Sequence, residues 1–276
     1  MIKRKTDGSM VCPKCGKLIS VNAKQCIHCG YKNPGLWGYA PFLQKVLANG
    51  SMVPLITGVA IILYVLAIVI DPGAIFQPRG LFGLLAPSSE ALFHLGMTGT
   101  IPMEMGRWWT LITAIYLHGG VMHILFNMLW LRNLGGMVEQ LFGTARSFLI
   151  FTIAGFVGFV ASDLLGIPIT VGASGSIFGL LGALVYYGRK RGGTFGNAIY
   201  RQVGTWTIVL FVFGFLFPMI NNWAHAGGFI GGFIGAMVLG FDEAAPETNG
   251  HRLAALGVIG FTIICFGFAF YAWLVG

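Results

Sequence analysis

Seven long apolar segments follow one another from residue 53 to the end of the chain. They span residues 53–70, 111–134, 147–166, 174–188, 203–220, 223–241 and 253–275. A helix needs about 20 apolar residues to cross the hydrocarbon of a bilayer, and none of the segments alternates in the manner of a barrel strand. Because backbone groups in lipid must be paired within their own segment, the pattern predicts an all-α polytopic membrane protein. The fourth and sixth segments are short or rich in glycine, which favours helices buried inside the bundle.

Charge is too scarce for a large soluble domain. Only 9% of the residues are charged and 56% are hydrophobic, whereas soluble domains carry about 25% charged residues. The net charge of +8 does not indicate nucleic acid, because the basic residues gather where they mark membrane topology. Eight of the 17 precede the first apolar segment, and Arg189, Lys190, Arg191 and Arg201 lie between two later segments. The lipid bilayer is therefore an expected partner, and nucleic acid is not.

The same basic residues predict the orientation. A cytoplasmic N-terminus places the loop from Arg189 to Arg201 inside, as the positive-inside rule requires. Seven spans then put the C-terminus outside, together with the long first loop, residues 71–110. The first ten residues are polar, so no secretory signal peptide is expected. The expected location is the plasma or inner membrane.

Polar residues occur near the outer ends of three predicted spans. In this topology the second, fourth and sixth spans all begin on the outer side. The second carries His118, His123 and Asn127 near its start, the fourth begins at Ser174, and the sixth has His225 near its start. Such side chains are costly in a membrane and mark functional sites, so we expect the three groups to meet at one depth.

Ser174 is the candidate nucleophile. Its neighbours Gly172, Ala173 and Gly175 are small and let a substrate backbone approach. The free N–H groups of a helix N-terminus suit a developing oxyanion. The alternative is a seam of small residues that only packs helices together, and this short motif alone favours that alternative.

His225 is the candidate general base. A serine hydroxyl becomes a useful nucleophile only when a base takes its proton, and His225 lies at the depth expected for Ser174. Gly228 and Gly232 are four residues apart and allow the sixth helix to pack closely against a neighbour. The alternative is a lone hydrogen-bonded core histidine.

His123 and Asn127 are spaced i, i+4 and therefore project from one face of a helix. Both side chains donate hydrogen bonds, which suits the stabilisation of a tetrahedral oxyanion. An interhelical hydrogen bond is the alternative for either residue alone.

Together these elements resemble the rhomboid proteases over residues 110–240. The matching pieces are His118 before His123-Ile-Leu-Phe-Asn127, Gly172-Ala-Ser174-Gly175, Ala224-His225 before paired glycines, and Leu134-Gly-Gly-Met-Val-Glu139 before Gly143. The resemblance implies a six-helix core, to which the last apolar segment adds one C-terminal transmembrane helix. This chain has Arg107-Trp108-Trp109 in its first loop, where the family often has Trp-Arg.

The resemblance also implies a Ser–His dyad that needs neither an acid nor a catalytic cofactor. Ser174 is then the nucleophile and His225 the base, while His123 and Asn127 donate to the oxyanion with the Ser174 N–H. Three further residues are implied to support the site: His118, Phe178, whose ring packs against His225, and Gly172. Asp163 is a candidate to orient His225, as an acid does in a triad, but a structural or water-facing position is favoured.

Two CxxC pairs lie in the polar N-terminal region. Their cysteines are Cys12, Cys15, Cys26 and Cys29, and Gly16 and Gly30 follow the two pairs. Four thiolates at this spacing fit a tetrahedral structural zinc site, and the segment resembles small zinc ribbons. His28 is expected to be a bystander. Because four thiolates leave no open position, this zinc is not expected to hydrolyse anything.

These features predict three parts: a zinc-ribbon-like cytoplasmic module at 1–34, a linker at 35–52 and a rhomboid-like protease domain at 53–276. The function predicted is an intramembrane serine endopeptidase that cleaves transmembrane segments of other membrane proteins. The alternative is a non-catalytic rhomboid-like protein that binds transmembrane clients. A transporter or channel is disfavoured, because no inverted repeat is evident. A cytoplasmic partner is a candidate ligand of the module.

Overall fold

The computed structural model of the chain describes residues 4–41, 51–77, 83–217, 219–243 and 246–275. Two strands form a small antiparallel hairpin: β1 (Ser9–Val11) and β2 (Leu18–Ser20). The α-helices with both ends in these residues are α1 (Met52–Ile70), α2 (Ser89–His94), α3 (Thr100–Glu104), α4 (Thr110–Thr113), α5 (Val121–Phe142), α6 (Thr144–Leu164), α7 (Ser174–Arg191), α8 (Gly193–Gly214), α9 (Asn222–Leu239) and α10 (Asn249–Val275). Short 3-10 turns occur at Leu36–Gly38, Pro72–Phe76 and Ala114–Tyr116.

The helices form a polytopic membrane bundle. Within the described residues, seven of them have 18 residues or more: α1 and α5 to α10. Three of these, α1, α6 and α10, are each long and apolar enough to cross a membrane, and α4 with α5 makes a fourth span if the bent pair is counted as one. The seven long helices confirm the predicted core of six plus one C-terminal helix.

The second predicted span, residues 111–134, was wrong as a continuous helix. The chain forms α4 and a 3-10 turn, breaks at Gly119-Gly120, and resumes as α5 at an angle of 88°. Two adjacent glycines have poor helix propensity, so apolarity continues across a point where the helix does not. His118 consequently lies in the break, and α5 runs on to Phe142.

The fifth predicted span, residues 203–220, was also displaced. Helix α8 begins at Gly193, ten residues earlier, because its first turns are polar and carry no apolar signal. The predicted linker at 35–52 is described only at its two ends, since residues 42–50 lie outside the described residues. Its last part holds Ser51, which caps α1 by accepting a hydrogen bond from the Val53 N–H at 3.2 Å.

Helix α7 lies at the centre of the bundle, packed against both α6 and α9. Most of its residues are buried, as expected for the short fourth span. Glycines make the close approach to α9 possible: a Cβ on Gly228 would overlap the Gly175 carbonyl oxygen, and one on Gly232 would overlap the Gly179 carbonyl oxygen. The predicted close packing through Gly228 and Gly232 is therefore confirmed.

A buried polar network closes one end of the bundle. We call this end, which lies around Arg191, the base. At about 1.5 Å per residue, the base lies about 26 Å along α7 from Ser174. The Arg146 side chain, which is fully buried, donates to His251 Nδ1 at 3.2 Å, to the Pro246 carbonyl at 2.8 Å and to Asp242 Oδ1 at 3.1 Å. Buried ions are retained when several polar groups satisfy them.

The same network joins the N-terminal module to the last helix. Glu247 accepts from the Ala145 N–H at 2.8 Å and from Arg252 Nε at 3.1 Å. Arg252 also donates to Asn249 Oδ1 at 3.3 Å, and Asn249 Nδ2 donates to the Pro34 carbonyl at 2.9 Å. The end of the module is thus bonded to the start of α10.

Candidate active site

Ser174 is the first residue of α7, and the segment before it is fixed by backbone hydrogen bonds. Thr98 and Thr170 form an isolated antiparallel bridge, and the Gly172 N–H donates to the Ala114 carbonyl at 2.9 Å. Gly172 has φ +126°, which only glycine adopts readily. The Ser174 side chain therefore projects from a helix start held on a rigid strand-like segment.

His225 lies in the first turn of α9, against the first turn of α7. A Cβ on Gly175 would lie 3.1 Å from the Ala224 carbonyl oxygen, so the backbones beside Ser174 and His225 touch. The Phe178 ring, one turn after Ser174, stacks on the His225 ring with centroids 4.2 Å apart and planes 12° apart. The imidazole thus lies over the face of α7 that carries Ser174.

His123 and Asn127 share one face of α5, as their spacing predicts. Asn127 Nδ2 donates to the His123 carbonyl at 2.9 Å, which leaves its second N–H available. The Gly119 N–H donates to His123 Nδ1 at 3.3 Å. Because Nδ1 is the acceptor, a neutral His123 carries its proton on Nε2. A Cβ on Gly172 would lie 2.5 Å from that Nε2, so the glycine admits the histidine beside the Ser174 segment.

These side chains surround one cavity of about 980 Å³. Its lining includes Ser174, His225, His123, Asn127 and Phe178, together with apolar residues from α5, α7 and α8. A hydroxyl, an imidazole and side-chain N–H donors therefore converge on a space large enough for several residues of a peptide. Such a grouping can perform acyl transfer.

His118 stands behind this group rather than on the cavity. It is fully buried, and its ring centroid lies 5.1 Å from that of His123. Among the described residues, neither of its ring nitrogens has a hydrogen-bond partner. The contact with His123 is consistent with the supporting position that the resemblance implies.

No carboxylate orients His225 within the described residues. Its Nδ1 is buried and has no hydrogen-bond partner there, so Asp163 does not bind it in the manner of a triad acid. The favoured structural or water-facing position of Asp163 agrees with this. The stacked Phe178 ring is what holds the imidazole.

The four N-terminal cysteines form a second candidate site. Their Sγ atoms lie within 4.8 Å of one another, with Cys12 to Cys29 at 3.8 Å and Cys15 to Cys26 at 3.7 Å. Tetrahedral zinc with sulfur ligands at about 2.3 Å spaces its sulfur atoms about 3.8 Å apart, so the cluster could bind a metal ion.

The turns that carry these cysteines are tight, as predicted. Gly16 has φ +70° and Gly30 has φ +71°. Each donates its N–H to the first cysteine of its pair, to Cys12 O at 3.0 Å and to Cys26 O at 2.9 Å. His28 is exposed and outside the cluster.

Two residues of structural weight were missed from the sequence. Asn221 caps α9 and also reaches the segment before Ser174, and a helix-capping asparagine just before an apolar segment was the available signal. Arg146 was placed just outside the third predicted span, and the side chains and the carbonyl of Asp242, Pro246 and His251 that it binds are about 100 residues away, where a local pattern gives no signal.

Comparison with known proteins gives one family. Residues 105–241, about half of the chain, match the model of the Rhomboid domain. The chain is 37% identical over 188 residues to Rhomboid protease GluP of Bacillus subtilis (strain 168). The aligned stretch covers 67% of this chain and 36% of that protein. The chain is 37% identical over 172 residues to RHOMBOID-like protein 5 of Arabidopsis thaliana, which covers 59% of this chain and 54% of that protein.

A third relative, RHOMBOID-like protein 7 of Arabidopsis thaliana, is 39% identical over 155 residues, which covers 55% of this chain and 49% of that protein. The chain thus spans between about a third and about half of the length of these relatives. The stretches that hold Ser174, His225, His123 and Asn127 all fall inside residues 105–241. On this match and the bundle that contains it, the chain belongs to the rhomboid family.

Proposed function

We propose that the chain is an intramembrane serine endopeptidase in which Ser174 and His225 form a catalytic dyad. One observation carries the proposal: the His225 ring is stacked on Phe178, one turn after Ser174, and all three line the same cavity. A structural histidine has no need of a position beside a helix-start serine and a cavity. The word protease in the name of the relative GluP agrees with this activity.

The chemistry follows from the positions of the donors and acceptors. His225 Nδ1 is buried without a partner among the described residues, so Nε2 is the nitrogen that takes the Ser174 proton. The Ser174 oxygen adds to the scissile carbonyl, and the oxyanion receives hydrogen bonds from His123 Nε2–H, Asn127 Nδ2–H and the Ser174 N–H. The imidazolium then protonates the leaving amine, and water releases the acyl group by the same steps.

The substrates we propose are transmembrane segments of other membrane proteins. The cavity lies among membrane helices, so a substrate reaches it from the bilayer. A peptide bond inside a helix is shielded, and the substrate backbone must open before Ser174 can attack. The resemblance to rhomboid proteases adds cleavage near small residues, where helices unwind readily.

A non-catalytic rhomboid-like protein that binds transmembrane clients is the second candidate. The 980 Å³ cavity serves a bound helix as well as a cleaved one. The two functions separate on the reactivity of Ser174, which client binding does not require.

The module at 1–34 is proposed to hold one structural zinc ion through its four clustered cysteines. The zinc supplies folding energy to a segment with a very small core. The proposed orientation puts this module in the cytoplasm and the C-terminus outside, in the plasma or inner membrane, since the basic last turn of α7 then lies inside. There the module is available to a cytoplasmic partner.

The test is an activity probe in liposomes. A fluorophosphonate should label the wild type, and Ser174→Ala and His225→Ala should abolish both labelling and cleavage of a transmembrane substrate. Ser176→Ala is the matched control, because Ser176 is two residues away on the same helix and is fully buried outside the cavity lining. A Ser174→Ala protein that still cleaves at the wild-type rate would refute the dyad, and a wild type that binds clients but takes no label would favour the second candidate.

A further inference from the structure

Asn221 joins three pieces of chain that meet at the candidate active site. It lies just before α9, four residues ahead of His225. Its side chain contacts the helix that carries His225, the strand-like segment that leads to Ser174, and the end of α6.

The first contact is a helix cap. Asn221 Oδ1 accepts from the Ala224 N–H at 3.0 Å, and the Asn221 carbonyl accepts from the His225 N–H at 3.2 Å. Both bonds lie in the first turn of α9, so they set the direction in which the His225 side chain leaves the helix. A cap of this kind is worth about 1 kcal/mol to the helix end.

The second contact reaches the nucleophile. Asn221 Nδ2 donates to Thr170 Oγ1 at 3.2 Å. Thr170 is paired through both backbone groups with Thr98, the N–H donating at 2.7 Å and the carbonyl accepting at 3.2 Å. The amide thus holds a fixed segment that ends four residues later at Ser174.

The third contact anchors the Asn221 side chain to α6. Asn221 Nδ2 also donates to Ser162 Oγ at 2.6 Å, and Ser162 is fully buried near the end of α6. One amide therefore ties the starts of α7 and α9 to the same point on α6. The three contacts use both N–H groups of the side chain and one of the two lone pairs of its oxygen.

We propose that Asn221 is a positioning residue that fixes the distance and direction between Ser174 Oγ and His225. It touches neither reacting atom and acts through Ala224 and Thr170. The inference rests on the proposed function, since it assigns a role toward the dyad. Loss of the ties lets the two helix starts move independently, and misplacement of about 1 Å can slow an enzyme about a hundredfold.

The variants separate the cap from the ties. Asn221→Ala removes both. Asn221→Asp keeps the acceptor for Ala224, and its second oxygen accepts hydrogen bonds that the Ser162 and Thr170 hydroxyls are able to donate. The double variant Ser162→Ala with Thr170→Val removes the ties and leaves the cap in place.

The measurement is cleavage of a transmembrane substrate in liposomes, with kcat and KM determined separately, alongside the rate of fluorophosphonate labelling. Asn221→Ala should lower kcat roughly 10- to 100-fold and slow labelling by a similar factor, with KM changed less than about threefold. Asn221→Asp should stay within about threefold of wild type, because it retains all three contacts. The double variant should fall between these two, and adding it to Asn221→Ala should cause no further loss, as coupled residues are not additive.

Asn222→Ala is the matched control. It removes a neighbouring amide whose Oδ1 has no hydrogen-bond partner among the described residues. Its kcat should remain near wild type. An equal fall in Asn222→Ala would overturn the inference, since any lost amide at this helix start would then give the effect. A thermal unfolding scan of each variant shows whether it is folded, and the double variant and Asn221→Asp still decide the matter if Asn221→Ala does not fold.

The two proposals fail in different ways. If Ser174→Ala cleaves like the wild type, the dyad is wrong and the role of Asn221 falls with it. If Ser174→Ala is inactive while Asn221→Ala cleaves and is labelled at the wild-type rate, the dyad stands and the positioning role is overturned. A rise in KM alone, with kcat unchanged, also overturns the positioning role.

Discussion

The imidazole of His225 is held by packing rather than by an acid. Its Nδ1 has no hydrogen-bond partner among the described residues, and its ring lies flat on Phe178. In a serine triad the third residue fixes both the tautomer and the direction of the base. Here the Phe178 ring and the capped first turn of α9 set the direction of the imidazole. The geometry of the proposed site therefore depends on how its neighbours pack.

The stacking contact gives the first prediction. Phe178→Leu keeps an apolar side chain but loses the ring face, and aromatic contacts are worth about 0.5–1.5 kcal/mol. Cleavage under single-turnover conditions should therefore slow about two- to twelvefold, whereas Phe178→Tyr should remain near wild type. Equal rates for Phe178→Leu and the wild type would show that the ring does not orient His225.

The proposed oxyanion donors, His123 and Asn127, give the second prediction. His123→Ala or Asn127→Ala should weaken catalysis without removing it. The loss of one such donor costs about 10²–10³ in rate where nothing substitutes for it, and the remaining donors here partly substitute. The double variant should be slower than either single variant in single-turnover cleavage. Leu125→Ala, on a 47% exposed side chain of the same helix, is the control, and unchanged turnover in the double variant would exclude the role.

At the scale of elements, the glycine contact between α7 and α9, which we call the seam, brings the residues of the proposed site together. The backbones of Gly175 and Gly179 touch those of Gly228 and Gly232, and His225 rides on the same stretch of α9. A single added methyl group must therefore separate the two helices. Because that separation also moves His225 from Ser174, we expect the proposed activity to fall together with stability when the two helices are forced apart.

The seam gives the third prediction. Gly232→Ala places a Cβ onto the Gly179 carbonyl oxygen and should lower the free energy of unfolding by about 1–3 kcal/mol, as overpacking does. Gly257→Ala on the exposed side of α10 meets nothing within 4 Å. It should leave stability unchanged or raise it by up to about 1 kcal/mol. Thermal or denaturant unfolding in detergent measures both, and equal stability of the two variants would show that the seam tolerates separation.

The elements also show what the sequence could predict. Apolarity identified seven helices and small residues identified the seam, because both are local properties. Apolarity could not identify the break at Gly119-Gly120 inside an apolar run, nor the polar first turns of α8. The residues of the proposed site were predicted from motifs, whereas the bonds of Asn221 to Ser162 and Thr170 and of Arg146 to Asp242 and Pro246 join residues more than 50 positions apart. Local patterns carry no information on such partners.

At the scale of the whole molecule, the site and the N-terminal module lie at opposite ends of the bundle. The module is bonded through Pro34 to Asn249 at the base, about 26 Å along α7 from Ser174. The Lys-rich module and the basic end of α7 also share that side. We therefore expect the metal to matter for the module and little for cleavage.

The fourth prediction concerns that metal. Cys12→Ser with Cys15→Ser should remove zinc, measured as metal per chain, and should unfold the module, because we expect a segment with so small a core to need a bound metal for its folding energy. Cleavage of a transmembrane substrate should persist. Cys265→Ala, a buried cysteine outside the cluster, should keep its zinc. Wild-type protein without zinc would remove the metal assignment, and complete loss of cleavage by a stably folded variant would show that module and site are coupled.

The buried Arg146 has a consequence for how the protein is made. Three of its partners, Asp242, Pro246 and His251, lie 96, 100 and 105 residues later in the chain. A ribosome adding roughly 5–20 residues per second needs about 5–20 seconds to reach them. During that interval the third long helix is made, while these three acceptors of its guanidinium are still untranslated. The base therefore closes only after residues 242–251 are made, and a nascent chain halted before residue 242 contains a nearly complete family core whose base cannot yet form.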